Sequence, residues 1–206
     1  MRWCGLSNNH SGWIGGLTAL GFQTIIEIFD GFSQKWGFST GDMLANMAGA
    51  GLFVVQQLAW QQQRVQLKFS FHRTIFAGYN PEELGKNKWQ RWLKDYNGQT
   101  YWLSVNPSSF MRSTTVFPRW LDLAAGYGAD GMTGASANPH KIGDEILPEF
   151  TRTRKYLFSI DADIYRVFNK AGSSPLGLPI LDIMKLPAPA IELKRNNKFR
   201  FYGFYF

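Results

Sequence analysis

The chain has a single cysteine, Cys4, among its 206 residues. One cysteine excludes an intramolecular disulfide, and we interpret Cys4 as an unreactive side chain near a terminus. Charged residues are also scarce, at 18%, and the excess positive charge of +7 is dispersed, with no run of five basic residues. The scarcity of charge excludes an intrinsically disordered chain. The dispersion of the positive charge argues against a nucleic acid as partner.

Long hydrophobic runs are missing as well. No segment reaches the 18 uninterrupted apolar residues that are typical of a transmembrane helix. Residues 43–55 and 14–29 come closest, but Asn46 interrupts the first and Glu27 the second. An ionisable group at mid-membrane survives only when it is paired inside a bundle.

The motifs of common enzymes do not occur. The sequence has no glycine-rich phosphate loop, no dinucleotide fingerprint and no serine-hydrolase elbow. The three histidines, His10, His72 and His140, are too scattered for a recognisable metal site. The sequence therefore predicts neither a cofactor nor a metal ion.

Residues 1–63 read as two helices. Apolar residues recur at helical spacing until Gly31, which is typical of a helix end. A second helix is predicted to begin after Ser39, which can cap it, with Asp42 at the capping-box spacing. The two helices are expected to form an antiparallel hairpin joined by residues 32–38.

Small residues in the second helix suggest close packing. Gly49 and Gly51 each cost on the order of 1 kcal/mol of helix propensity. Tight contact with the first helix, at Ala45, Ala48 and Gly49, is the compensation we expect.

Four polar side chains, Glu27, Asp30, Asp42 and Asn46, are the candidate site of this hairpin. If the hairpin forms, they come near one another, and carboxylates that share a poorly solvated site suit acid–base chemistry or cation binding. A structural role is the favoured interpretation, in which Asp42 caps its helix, Asp30 ends the preceding one and Asn46 bonds across the hairpin.

Residues 64–110 mix structural types. Apolar and polar residues alternate from 65 to 72, as in a half-buried strand, and a helix that continues from Gln62 is the alternative. Asn97-Gly98 predicts a turn into a short aromatic strand. Residues 83–95 predict a basic helix that carries Trp89 and Trp92 on one face. We favour a surface helix that is docked on its own core and has a solvated rim. A helix lying in a membrane interface is the alternative.

Residues 111–206 are predicted to be rich in loops, with little periodicity at 126–149. Strands are expected at 156–164 and 198–206, with Asp161 and Asp163 on a solvated face of the first. The aromatic last strand ends in Phe206, as in outer-membrane barrels, but about four such strands are too few for a barrel, which needs at least eight. The predicted fold is a single α+β domain over 1–206, with an N-terminal helical hairpin packed with further helices and a loop-rich second half with a few strands.

Two sets of residues carry a resemblance to known families. The first set is 27–33, 36–42, Ala45, Asn46 and Gly49, with 94–104, 126–128 and 187–189. Together these segments resemble the YfiM-type family of predicted bacterial envelope lipoproteins, a domain of unknown function whose longer, Bacteroidetes-like members look most similar. The second set is Glu27, Ser39, Asp42, Asn46 and Gly49, and it carries a more distant similarity to VanZ-like membrane proteins.

The resemblance implies a bacterial cell-envelope protein that faces the periplasm. Family members usually begin with a signal sequence, so we expect one upstream of Met1 in the full-length gene product. The expected role is structural or partner-binding, with a membrane surface or envelope proteins as partners. The alternative is an envelope enzyme that acts on lipid or cell-wall material through Glu27, Asp30, Asp42 and Asn46.

Overall fold

The computed structural model describes residues 5–32, 37–111, 117–169, 183–193 and 198–206. Within these residues the chain forms six α-helices and eight strands, which confirms the predicted α+β fold. It divides into two compact units, Met1–Arg64 and Val65–Phe206. The single-domain organisation stays a prediction. Cys4 lies outside the described residues.

The first unit is a hairpin of two helices, α1 (Asn8–Gly31) and α2 (Thr40–Trp60). Ser39 caps α2, since its hydroxyl accepts the backbone N–H of Asp42 at 3.1 Å, as the sequence predicted. Thr24 donates to the sulfur of Met43, and Gly16 packs on Val54 near the opposite ends of the helices. These pairings run in opposite directions along the two helices, so the hairpin is antiparallel.

The close approach between the helices occurs at glycines of α1. A Cβ atom at Gly16 would overlap the side chain of Val54, and one at Gly12 would lie 2.8 Å from Cγ of Gln57. The prediction of this contact at Gly49 is wrong, because a Cβ there would meet nothing within 4 Å, and the same holds at Gly51. Contact with α1 therefore does not offset the loss of helix propensity at these two glycines.

We expect Gly16→Leu to destabilise the hairpin by about 1–3 kcal/mol, because the new side chain must push aside the stiff, branched Val54. Gly51→Leu is the matched control, and it should raise stability by up to about 1 kcal/mol through helix propensity alone. Denaturant unfolding followed by helical circular dichroism measures both. Equal effects of the two variants would show that Gly16 is not a packing position.

The second unit is built on one six-stranded antiparallel sheet in the order β1-β2-β3-β6-β7-β8, beside a separate β4–β5 hairpin. Its elements, in chain order, are β1 (Val65–Phe71), α3 (Phe76–Tyr79), α4 (Pro81–Leu84), α5 (Lys88–Lys94), β2 (Gln99–Val105), a 3₁₀ turn (Pro107–Phe110), β3 (Leu121–Asp130), β4 (Lys141–Ile142), β5 (Glu145–Ile146), β6 (Thr153–Ala162), α6 (Ile164–Asn169), β7 (Ala188–Leu193) and β8 (Phe199–Tyr205).

The sheet curls strongly about one face. Thr100 on β2 and Tyr205 on β8 are four strand spacings apart, about 19 Å in a flat sheet. Their hydroxyl oxygens nevertheless lie 3.1 Å apart. The ring of His72, just after β1, lies 5.5 Å from that of Tyr205. The inner face of the sheet is therefore enclosed by the sheet itself.

Two expectations need correction here. The segment at 126–149 is not wholly irregular, because β3 continues to Asp130. Its alternation was hidden by small inward residues: Gly126 lies under the ring of Trp102, where a Cβ would come within 2.7 Å. The helix predicted at 83–95 is two short helices, divided at Gly85, whose positive φ of 103° breaks the helical path.

Candidate functional site

The buried carboxylate of Glu27 joins the two helices of the first unit. Its Oε1 accepts the backbone N–H of Ser39 at 2.5 Å, and Glu27 is buried. In a capping box this N–H is bonded by a side chain three residues further along the same helix. Here a residue of α1 takes that place, so Glu27 caps α2 and closes the hairpin.

The other members of the predicted cluster lie nearby on the same hairpin. Asp30 is in the last turn of α1 and half-buried, Asp42 is exposed in the first turn of α2, and Asn46 is half-buried one turn later. No metal-binding group of three His, Cys, Asp or Glu side chains occurs in the described part of the chain. A catalytic role for Glu27, Asp30, Asp42 and Asn46 stays a prediction.

The outer face of the curled sheet carries apolar side chains on all six strands. The register places its residues in rows that run from strand to strand, and three of these rows contain no charged side chain. Arg154 of β6 also faces outward, opposite Ala129 and beyond these rows, where its guanidinium donates to the hydroxyl of Tyr127 at 2.7 Å. We call this surface the outer face. Its rows are Phe69, Tyr101, Tyr127, Tyr156, Leu193 and Phe199; Leu67, Leu103, Ala125, Phe158, Ile191 and Phe201; and Val65, Val105, Leu123 and Ile160.

Most charged side chains of the sheet lie instead on the inner face. Besides a small apolar core around Trp102 and Leu157, the inward positions carry buried polar and charged groups. Those on the strands are Lys68, Ser70, Thr100, Ser104, Asp122, Lys155, Asp161 and Glu192. The usual arrangement of a half-solvated sheet, with apolar residues inside and polar residues outside, is thus inverted.

A buried ion pair forms the centre of the inner face. Nζ of Lys68 lies 3.0 Å from Oδ2 of Asp161, and both side chains are 0% exposed. The hydroxyl of Ser104 donates to the same carboxylate oxygen at 2.7 Å. Lys68 also donates to the carbonyl oxygen of Ala162 at 3.0 Å. Because every one of these groups is enclosed, the arrangement acts as a structural network in this conformation.

Lys185 extends the network from the segment before β7. Its ammonium donates to the carbonyl oxygens of Ile160 and Leu186 and lies 4.7 Å from the centre of the Trp102 ring. Burial, reinforced by the neighbouring charge of Lys68, lowers the pKa of Lys185 to about 8, while Asp161 partly opposes the shift. The buried lysine is held by carbonyl dipoles and an aromatic face.

The prediction that Asp161 and Asp163 lie on a solvated strand face is wrong. Both are buried, Asp161 in the ion pair with Lys68 and Asp163 against Arg166, whose Nε lies 2.7 Å from Oδ2. Asp163 also caps α6, because its Oδ1 accepts the backbone N–H of Arg166. Alternation along β6 was read correctly, but its polar side faces inward.

One helix of the first unit has the dimensions of a membrane span. Among the described residues, α1 is long and apolar enough to cross a bilayer by length and composition. Signal sequences and core helices share these properties, so α1 alone does not establish a membrane location.

Comparison with known proteins gives one match. Residues 2–57 match a family model described as "Predicted periplasmic lipoprotein (DUF2279)". A search of curated proteins and a search of solved structures gave no significant match. The family description confirms the location predicted from the sequence, the bacterial cell envelope with the chain facing the periplasm. The match ends within the last turn of α2, so it covers most of the hairpin and none of the second unit.

Proposed function

We propose that this envelope protein is held in a membrane by the outer face of its curled sheet, and that its role there is structural or partner-binding. The observation that carries the proposal is the inverted polarity of the sheet: an ion pair is enclosed inside while aromatic and aliphatic side chains face outward. Strands in contact with lipid alternate in this way, apolar outward and polar inward.

The transfer free energy of the outward side chains favours lipid over water around the outer face. Burying one large apolar side chain contributes about 1.5–3 kcal/mol. About a dozen such side chains on the outer face are between two-fifths and three-quarters exposed, so their transfer out of water is worth on the order of 10 kcal/mol. A chain of modest stability does not leave that much apolar surface in water without an occupant.

The shape of the outer face favours acyl chains over a protein partner. A standard protein interface covers one patch of about 800 Å² on each partner. The outer face instead continues over all six strands of a sheet that curls on itself. A fluid hydrocarbon can cover such a surface completely, whereas a single rigid partner would cover one side of it.

A non-catalytic role is supported by how the buried polar groups are used. The carboxylate of Glu27 is bonded to Ser39, and that of Asp161 is bonded to Lys68 and Ser104. These bonds hold the two units in shape. The finer kinship with YfiM-type lipoproteins and with VanZ-like proteins, and the choice of the outer membrane, are part of this proposal.

Fractionation of cells that express the full-length gene product tests the proposal. We expect the protein in the membrane pellet, released by detergent but retained through high salt and alkaline carbonate washes. A protein found in the aqueous periplasmic fraction would contradict the proposal, and one released by salt alone would show attachment by charge rather than through the outer face.

A further inference from the structure

The short helix α5 is fixed in place by bonds at both of its ends. Asn87 caps it, since its side-chain oxygen accepts the backbone N–H of Gln90 at 2.9 Å. At the other end the side-chain amide of Gln99 donates to the carbonyl oxygens of Trp92 and Leu93, each at 3.1 Å. The Trp92 ring meets Phe69 of the outer face edge-on at 5.9 Å. The helix therefore has a defined orientation beside the outer face.

What α5 presents to its surroundings is both apolar and basic. Trp89 is 79% exposed and Leu93 is 69% exposed. Lys88, Arg91 and Lys94 are interleaved with them, and no acidic residue occurs from 86 to 94. Lys88 is exposed, while Lys94 and Arg91 are half-buried, and Nε of Arg91 donates to the carbonyl oxygen of Gly85 at 3.2 Å. Within the part of the chain that the structure describes, no carboxylate lies within ion-pair distance of these three basic side chains. The expected docking of the aromatic face on the core is not seen, because Trp92 is 37% exposed and packs on Phe69 of the outer face, and Trp89 is more exposed still.

This combination fits the boundary between lipid headgroups and acyl chains. Tryptophan is enriched at that depth because its ring is apolar and its N–H needs a polar partner. Lysine and arginine place their stems in the apolar zone and their charges among the phosphates. Neither water nor hydrocarbon alone suits Trp89 and its basic neighbours together.

Resting on the proposed function, we infer that α5 binds the phosphate groups of anionic lipid headgroups in the bilayer that the outer face contacts. Trp89 and Leu93 enter the acyl boundary, while Lys88, Arg91 and Lys94 meet the phosphates. Each basic side chain that meets an anionic surface adds a similar amount to the free energy of binding. Three of them therefore account for a strong preference for anionic lipid. The contact sets the depth at which the sheet sits.

The test measures partition of the purified full chain onto vesicles of phosphatidylcholine and onto vesicles that also contain phosphatidylglycerol. The variant Lys88→Gln/Arg91→Gln/Lys94→Gln should bind the anionic vesicles about 100-fold more weakly, which corresponds to about 3 kcal/mol. Its binding to phosphatidylcholine should not change. Trp89→Ala should weaken binding to both kinds of vesicle. Circular dichroism checks that each variant is folded.

A control variant, Arg119→Gln/Lys141→Gln/Lys198→Gln, removes the same charge from three exposed positions outside α5. If it weakens anionic binding as much as the α5 variant, net charge rather than α5 is responsible and the inference is overturned. The inference also fails if the wild type does not distinguish the two vesicles, or if α5 substitutions abolish binding to a single-stranded oligonucleotide but not to vesicles. A wild type that binds neither vesicle would overturn the proposed function itself.

Discussion

Replacing Lys68 by methionine is expected to lower the free energy of unfolding by about 3–5 kcal/mol, because Asp161 would be left charged and enclosed without its partner. Ser104 would remain as a donor to one carboxylate oxygen, while the other oxygen, Oδ1, has no hydrogen-bond partner among the described residues. Denaturant unfolding of the purified protein in detergent, followed by circular dichroism, measures the loss.

The double variant Lys68→Met/Asp161→Asn is the matched control. It removes both charges and keeps an oxygen that can accept from Ser104, so more than half of the lost stability should return. If the double variant is as unstable as Lys68→Met, the loss comes from packing of the lysine stem and not from an unpaired charge. A Lys68→Met variant as stable as wild type would show that the pair is exposed to water.

The second large effect, a loss of membrane retention, is expected from a substitution at the centre of the outer face. Phe158 is 56% exposed and lies between Ala125 and Ile191 in its row. Phe158→Arg should weaken retention in the membrane by about 2–4 kcal/mol, the cost of a basic side chain on a lipid-facing strand. Partition between vesicles and buffer measures it. For a sheet that faces water, the same substitution should be neutral to within about 0.5 kcal/mol.

Ile146→Arg provides the comparison. Ile146 is 83% exposed and belongs to the β4–β5 hairpin, outside the six-stranded sheet. The variant carries the same new charge in place of an apolar side chain that is more exposed than Phe158. Membrane retention should be unchanged by Ile146→Arg. Equal losses at both positions would assign the effect to charge alone and not to the outer face.

The helical hairpin could be predicted from sequence because its signals are local. Helical spacing of apolar residues, the stop at Gly31 and the cap at Ser39 each depend on a few neighbouring residues. Its packing could not be predicted, because which glycines face the other helix depends on the rotation of both helices. The packing roles of Gly12 and Gly16 were therefore not predicted, while Gly49 was given a contact that it does not make.

The strands were recognised by alternation, but alternation does not say which side faces inward. The strand predicted at 65–72 is β1, and the strand predicted at 156–164 is β6, which begins at Thr153 and ends at Ala162, before α6. The inward position of Asp161 depends on a partner 93 residues away, Lys68, which only the curl of the sheet brings into contact. The signal that could have revealed the inversion is the run of outward aromatic residues in strand after strand, together with the aromatic end of the chain.

The cluster of Glu27, Asp30, Asp42 and Asn46 was predicted from the same local signals as the hairpin, and its role stays a prediction. The bond from Ser39 to Glu27 could not be read from sequence, because the capping-box pattern points to Asp42 for that contact. The inner network was missed altogether, since its members come from β1, β2, β6 and the segment before β7.

The central claim, that the outer face contacts acyl chains, is tested most directly by single nitroxide labels on the protein in vesicles. With Cys4 replaced by serine, labels are attached after Phe158→Cys, Ile191→Cys and Ile146→Cys, and their collisions with oxygen and with a water-soluble nickel chelate are compared. We predict that positions 158 and 191 meet oxygen and are shielded from the nickel chelate, while 146 meets the chelate. If the labels at positions 158 and 191 are as accessible to the nickel chelate as the label at 146, the account is contradicted.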